Sequence, residues 1–184
     1  MYTRLVLVCL LCVPVQANVQ KSDSLSKQNL ILRDRDYAFS ISIPPNWAVD
    51  TADRALQAAT KAVLYSTEKD KDHWRIPILI ATKALEGKNT LANLISYFER
   101  LDSSQQARTT HIESPPVFTK DGTKVTLIKI AYVNGQCCTA YVEDRAVVVV
   151  FSQWRLSDKE YQSAFEDLKQ VVESYSSESV DQRK

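Results

Sequence analysis

The chain has 184 residues, 23 basic against 22 acidic side chains, and only 3 glycines. So balanced a charge, with no basic run, gives nucleic acid or an anionic membrane surface nothing to hold, and so few glycines argue against phosphate-cradling loops. Of the four cysteines, Cys9 and Cys12 lie at the extreme N-terminus, so the body of the chain is no disulfide scaffold and must be held by packing.

Residues 1–17 read as a secretory signal: Arg4, an apolar run from Leu5 to Val13, Pro14, then Val15-Gln16-Ala17 as a small-residue cleavage site. The run is too short to stay in a bilayer as an anchor, and Cys9 and Cys12 lack the small residue that precedes a lipidated cysteine. The expectation is export to the periplasm or the exterior after cleavage near Ala17. Residues 18–36 are polar apart from Leu30-Ile31-Leu32 and read as a tether able to dock at its end.

Residues 37–175 read as one domain. Tyr37, Phe39, Ile41 and Ile43 alternate with small and polar residues, the period of a half-buried strand, and Pro44-Pro45-Asn46 turns the chain toward a returning strand at Trp47. Ala-rich residues 51–62 suggest a short helix. Ala62–Ser66 and Trp74–Lys83 read as strands joined by the charged loop 68–72, with Pro77 pointing to an edge strand or a bulge. Thr90 opens an amphipathic helix with Leu91, Leu94, Ile95, Phe98 and Leu101 on one stripe, and 103–110 reads as a surface loop.

A meander follows from His111, with turns at Asp121-Gly122 and Asn134-Gly135 and a weaker one at Asp144-Arg145. Ala146 to Phe151 is an apolar, mostly β-branched run suited to a strand covered on both faces. Ser157 and Glu160 have capping-box spacing, Leu156 and Tyr161 staple spacing, and Ala164, Phe165, Leu168, Val171, Val172 and Tyr175 continue a helical stripe. The tail 176–184 is polar. Short links and two helices make the class α+β, with a mostly antiparallel sheet and flanking helices.

Phe39-Ser-Ile-Ser-Ile-Pro-Pro-Asn-Trp47, and the closing strand followed by Tyr161, Phe165, Leu168, Val171-Val172 and Ser174-Tyr175, resemble the PsbP-like family, whose fold the extrinsic subunit of photosystem II shares with a Ran-binding protein. The resemblance covers residues 37–175. It implies an α/β/α sandwich and an accessory, docking role rather than catalysis. No motif for photosystem or Ran binding accompanies it, and those activities are not carried over.

Cys137 and Cys138 are the most unusual feature. With a two-residue turn at Asn134-Gly135, Tyr132 would face Cys137 and Ala131 would face Cys138; carried across Asp144-Arg145, the register puts Cys138 opposite Phe151 and Cys137 opposite Ser152. Strand alternation then sends the two sulfurs to opposite faces. Adjacent Cα atoms about 3.8 Å apart fall below the disulfide window, so a vicinal bond would break the strand. Two separately packed thiols are the expectation; a strained vicinal disulfide acting as a redox or binding element, and an intermolecular bridge or metal role, stand beside it.

Trp74-Arg75 and Trp154-Arg155 each set an aromatic beside an arginine near a strand end, a composition enriched at binding hot spots; the simpler reading is a tryptophan sealing the core edge beside a solvated arginine. His73 and His111, the only histidines, are far apart and lack a second ligand at metal spacing. No Gly-x-Ser-x-Gly elbow accompanies the serines. The functional expectation is an exported, non-catalytic binding or accessory protein, with a protein partner, no cofactor and no metal. The alternatives are a thiol-based redox or hydrolytic enzyme centred on Cys137 and Cys138, and an envelope immunity or stress factor.

Overall fold

The computed structural model describes residues 28–33, 37–52, 55, 60–67, 69–70, 73–74, 77–85, 90–103, 108–112, 115–132, 135–145 and 147–178. The expected signal sequence, most of the expected helix at 51–62, Arg75, and the side chains of Trp74, Phe98, Leu101 and Arg155 lie outside what is described.

In chain order the strands are β1 (Gln28–Arg33), β2 (Ala38–Ile43), β3 (Trp47–Asp50), β4 (Ala62–Ser66), β5 (Lys69–Asp70), β6 (His73–Trp74) and β7 (Ile78–Ala84). Helix α1 (Leu91–Ser103) follows, then β8 (Arg108–Ile112), β9 (Thr126–Tyr132), β10 (Gly135–Asp144), β11 (Val147–Leu156), helix α2 (Asp158–Glu173) and β12 (Ser176–Glu178). A seven-stranded sheet runs β3-β4-β7-β11-β10-β9-β8, a three-stranded sheet runs β1-β2-β12, and β5 and β6 form a small hairpin. Every described strand pair is antiparallel.

The large sheet has a core on each face. One packs Phe39 and Ile41 of β2, Leu64 of β4, Ile80 of β7, Ala140 and Val142 of β10 and Phe151 of β11 with Leu168, Val171 and Val172 of α2. The other packs Ile95 of α1 against Ile128, Ile130, Cys137, Tyr141 and Val148, with Leu91 and Leu94 at its margin. The layers are thus helix, sheet, and helix with a small sheet, an α+β sandwich. The β11 run reads as unbroken hydrophobicity because alternate residues are claimed by different cores, Val149 and Phe151 by one and Val148 by the other.

Both helices start where their side chains direct. Thr90 Oγ1 accepts from the Asn93 N–H at 3.2 Å, and Glu160 reaches back to accept from the Ser157 N–H at 2.8 Å and from its hydroxyl. At the far end of α2, Ser174 Oγ donates to Val171 O at 2.6 Å and accepts from the Ser42 N–H at 2.8 Å, tying the helix end to β2.

Several sequence expectations need correction. Pro77 does not mark an edge: β7 lies between β4 and β11, and the proline stands just before the first paired residue, where its missing N–H costs the ladder nothing. The strand expected over 74–83 is broken, since Trp74 belongs to the β5–β6 hairpin built from the expected charged loop. Strand β8 begins at Arg108, inside the expected loop 103–110. Strand β1 occupies the expected tether and β12 the expected tail, and both pair with β2. Edge strands of three to six residues carry too little periodicity to be seen before their partner is known.

The candidate site at the start of α2

The site forms where β9, β10 and β11 end beneath the first turn of α2. Tyr132 pairs with Gly135, and Ile130, not Tyr132, faces Cys137. Asp144 pairs with Val147, and Cys138 faces Gln153, not Phe151. Each register thus differs by two residues from the sequence expectation. An even shift leaves every side chain on its expected face, whereas a shift of one would have exchanged the faces.

Cys137 accordingly joins the α1-side core and Cys138 the α2-side core. Neither is in a disulfide, both are fully buried, and the strand carrying them is continuous. Cys137 Sγ lies 3.3 Å from Thr139 Oγ1. Burial first, and then the neighbouring Cys137, push the Cys138 thiol up to about 12, against a smaller opposing pull from Tyr161 and Lys129. At neutral pH it is a protonated core thiol rather than a nucleophile.

Gln136 pairs with Leu156 while Cys138 pairs with Gln153, so Cys137 alone faces both Trp154 and Arg155. This is a β-bulge with the extra residue in β11. Before it, Phe151 and Gln153 face α2; after it, Leu156, three residues beyond Gln153, is again fully buried in that core. The bulge therefore delivers Leu156 inward and sets the direction in which α2 departs.

Trp154 points to the opposite face. Its ring stacks on Tyr132 with centroids 6.2 Å apart, its Nε1 donates to Ser152 Oγ at 3.0 Å, and 46% of it is exposed. It braces the margin of the α1-side core and also presents a ring face to solvent. Trp74 lies in β6, a separate hairpin, and nothing described brings it to Trp154. The two Trp-Arg pairs are thus not shown as one surface.

On the α2 side lies a polar group that the sequence reading did not single out. Lys129 faces Cys138 across the β9–β10 ladder, and its ammonium sits 4.2 Å from the centroid of the Tyr161 ring, a cation–π contact. The Tyr161 hydroxyl lies against Cys138, and burial together with the two cysteines raises its pKa. The Gln136 amide donates to Asp158 in the first turn of α2. The only signal in the sequence is a polar residue at a core-facing strand position, and this becomes visible once the register is fixed. Among the described residues no three His, Cys, Asp or Glu side chains are grouped to hold a metal.

No protein-family model matches this chain, and no curated protein matches it. Among solved structures it is similar to the solution structure of cyanobacterial PsbP (CyanoP) from Synechocystis sp. PCC 6803, with a TM-score of 0.53 and 10% sequence identity over 86% of this chain and 97% of that one. The chain has a PsbP-like fold. At that identity the likeness concerns the fold alone.

Proposed function

We propose that this PsbP-like domain is an exported accessory protein that acts by binding a protein partner through the surface around Trp154, with no chemistry of its own. The observation that carries the reading is Trp154 itself, an aromatic 46% exposed on a central strand. Its ring is braced by Tyr132 and its N–H is already satisfied. A large aromatic held in one orientation adds contact area at small entropic cost, which is why such residues dominate hot spots. The accessory role that the resemblance implies points the same way. Burial of both sulfurs in a continuous strand, and a thiol pKa raised rather than lowered, speak against the thiol-enzyme alternative. Export rests on the leader pattern in residues 1–17; among the described residues no helix is long and apolar enough to cross a membrane.

The test is photo-crosslinking in cells from the full-length chain, with the crosslinking residue placed at 154 or at the exposed Lys83, followed by affinity purification. One reproducible partner captured from position 154 and lost in Trp154→Ala supports the reading; equal capture from both positions, or none, overturns it. Fractionation with N-terminal sequencing tests export: a mature chain starting at Asn18 is expected, and an unprocessed cytoplasmic chain would refute it.

A further inference from the structure

Two polar atoms beneath the first turn of α2 are buried without an oxygen or nitrogen partner: Gln136 Oε1, and Tyr161 Oη, which has only the Cys138 sulfur beside it. Gln136 is about nine-tenths buried, with 9% of its surface exposed. They belong to one interface. Gln136 and Cys138, two residues apart on β10, face α2; Tyr161 lies against Cys138, and Gln136 is held by Asp158, one helical turn before Tyr161 on the same side of α2. Leaving either atom unpaired in the interior is costly, and protein interiors satisfy such groups with an ordered water or a ligand.

The chemistry of the vacant valences is specific. The Gln136 amide N–H group is spent on Asp158, which leaves its oxygen as an acceptor only. The Tyr161 hydroxyl can donate, because the adjacent sulfur is a weak acceptor. The charges around them are already balanced: the Lys129 ammonium sits over the Tyr161 ring, Asp158 takes the Gln136 amide, and Glu160 is turned back onto Ser157. A charged guest would upset that balance, and an apolar one would leave both atoms unsatisfied.

We propose that Gln136 and Tyr161 together form a binding site for one small neutral hydroxyl, which donates to Gln136 Oε1 and accepts from Tyr161 Oη. The hydroxyl is supplied either by a resident water or by an alcohol-bearing ligand. The site lies on the face of the large sheet opposite Trp154. It is independent of partner binding there, so failure of either proposal leaves the other intact.

A double-mutant cycle tests it. Tyr161→Phe removes one oxygen and keeps the ring under Lys129, and Gln136→Met removes the amide at similar length. With a shared guest, Tyr161→Phe lowers the melting temperature and the two changes are non-additive. If the atoms are simply orphaned, Tyr161→Phe raises the melting temperature, because a buried unpaired group has been deleted, and the changes add; that result overturns the proposal. Two spectroscopic arms distinguish the sources in the wild-type chain. Ethylene glycol shifting the Gln136 side-chain N–H resonances saturably, with loss of the effect in Tyr161→Phe, identifies an alcohol site. A cross-peak from those N–H groups to a long-lived water, unmoved by ethylene glycol, identifies water as the guest. Should neither signal appear, the proposal fails even if the cycle is non-additive.

Discussion

Tyr175 donates its hydroxyl to Asp144 Oδ2 over 2.6 Å, while its ring stacks on Phe39 at 5.1 Å and meets Phe151 edge-on at 6.3 Å. One side chain thereby joins the end of α2, the small sheet and the β10–β11 turn. Tyr175→Phe should keep the ring packing and lose a hydrogen bond to a charged acceptor, at a cost of about 2 kcal/mol. Tyr175→Ala should also open a cavity and cost about 4 kcal/mol. Urea denaturation of both variants checks the order and the gap.

Thiol labelling should separate the native from the unfolded chain. Cys137 and Cys138 are expected to resist alkylation in the folded protein and to react fully, without reductant, in denaturant, because burial rather than a bond protects them. Peptide mapping by mass spectrometry reads each position. Protection persisting in denaturant would reveal a disulfide.

Alkaline pH should weaken the fold. In the unfolded chain the Cys138 thiol ionises near about 8.5, whereas in the folded chain burial holds it protonated up to about 12. Between those values the folded state keeps a proton that the unfolded state has lost. Its stabilising effect is therefore whole below about pH 8.5 and is lost as pH rises, by about 2 kcal/mol at pH 10. Tyr161 and Tyr175, both raised by burial, act in the same direction at higher pH. Stability measured against pH should fall less steeply over this range in Cys138→Ala than in the wild type.

The bulge should tolerate both substitution and the loss of its extra residue. Deleting Arg155 would remove the extra residue opposite Cys137 and restore plain alternation, with Gln153 inward, Trp154 outward and Leu156 inward opposite Gln136, so Leu156 stays in the core and a cooperative unfolding transition is expected to persist. Arg155→Ala keeps the residue count and should fold. Trp154→Ala should cost about 1 kcal/mol through its stacking on Tyr132, well below the roughly 3 kcal/mol expected for Leu156→Ala. Circular dichroism during thermal melts distinguishes all four.

The helices and central strands were legible because long periodic segments advertise their buried face. The stripe from Tyr161 to Val172 needs no partner to be recognised, and neither does the apolar run of β11. The faces of Cys137 and Cys138 were legible for the same reason, since parity survives a register error of two. The partners of those cysteines were not. They depend on the register of β9 against β10 and on where β11 gains its extra residue, and neither that register nor the Trp154–Arg155 bulge leaves a local mark. The edge strands β1 and β12 were hidden because one apolar triplet among polar residues in β1, and three polar residues in β12, become strands only by pairing with β2.

By itself, then, the sequence determined the α+β class, the caps and inner face of α2, and the separation of the two sulfurs, all consequences of local periodicity and short-range hydrogen bonding. Only the tertiary structure decided that Cys138 shares its face with Lys129, Gln136 and Tyr161, and that Trp154 stands half in solvent above Tyr132. Those relationships join residues from different strands and a helix. Their energies arise only when the elements dock, so no single stretch of chain carries them.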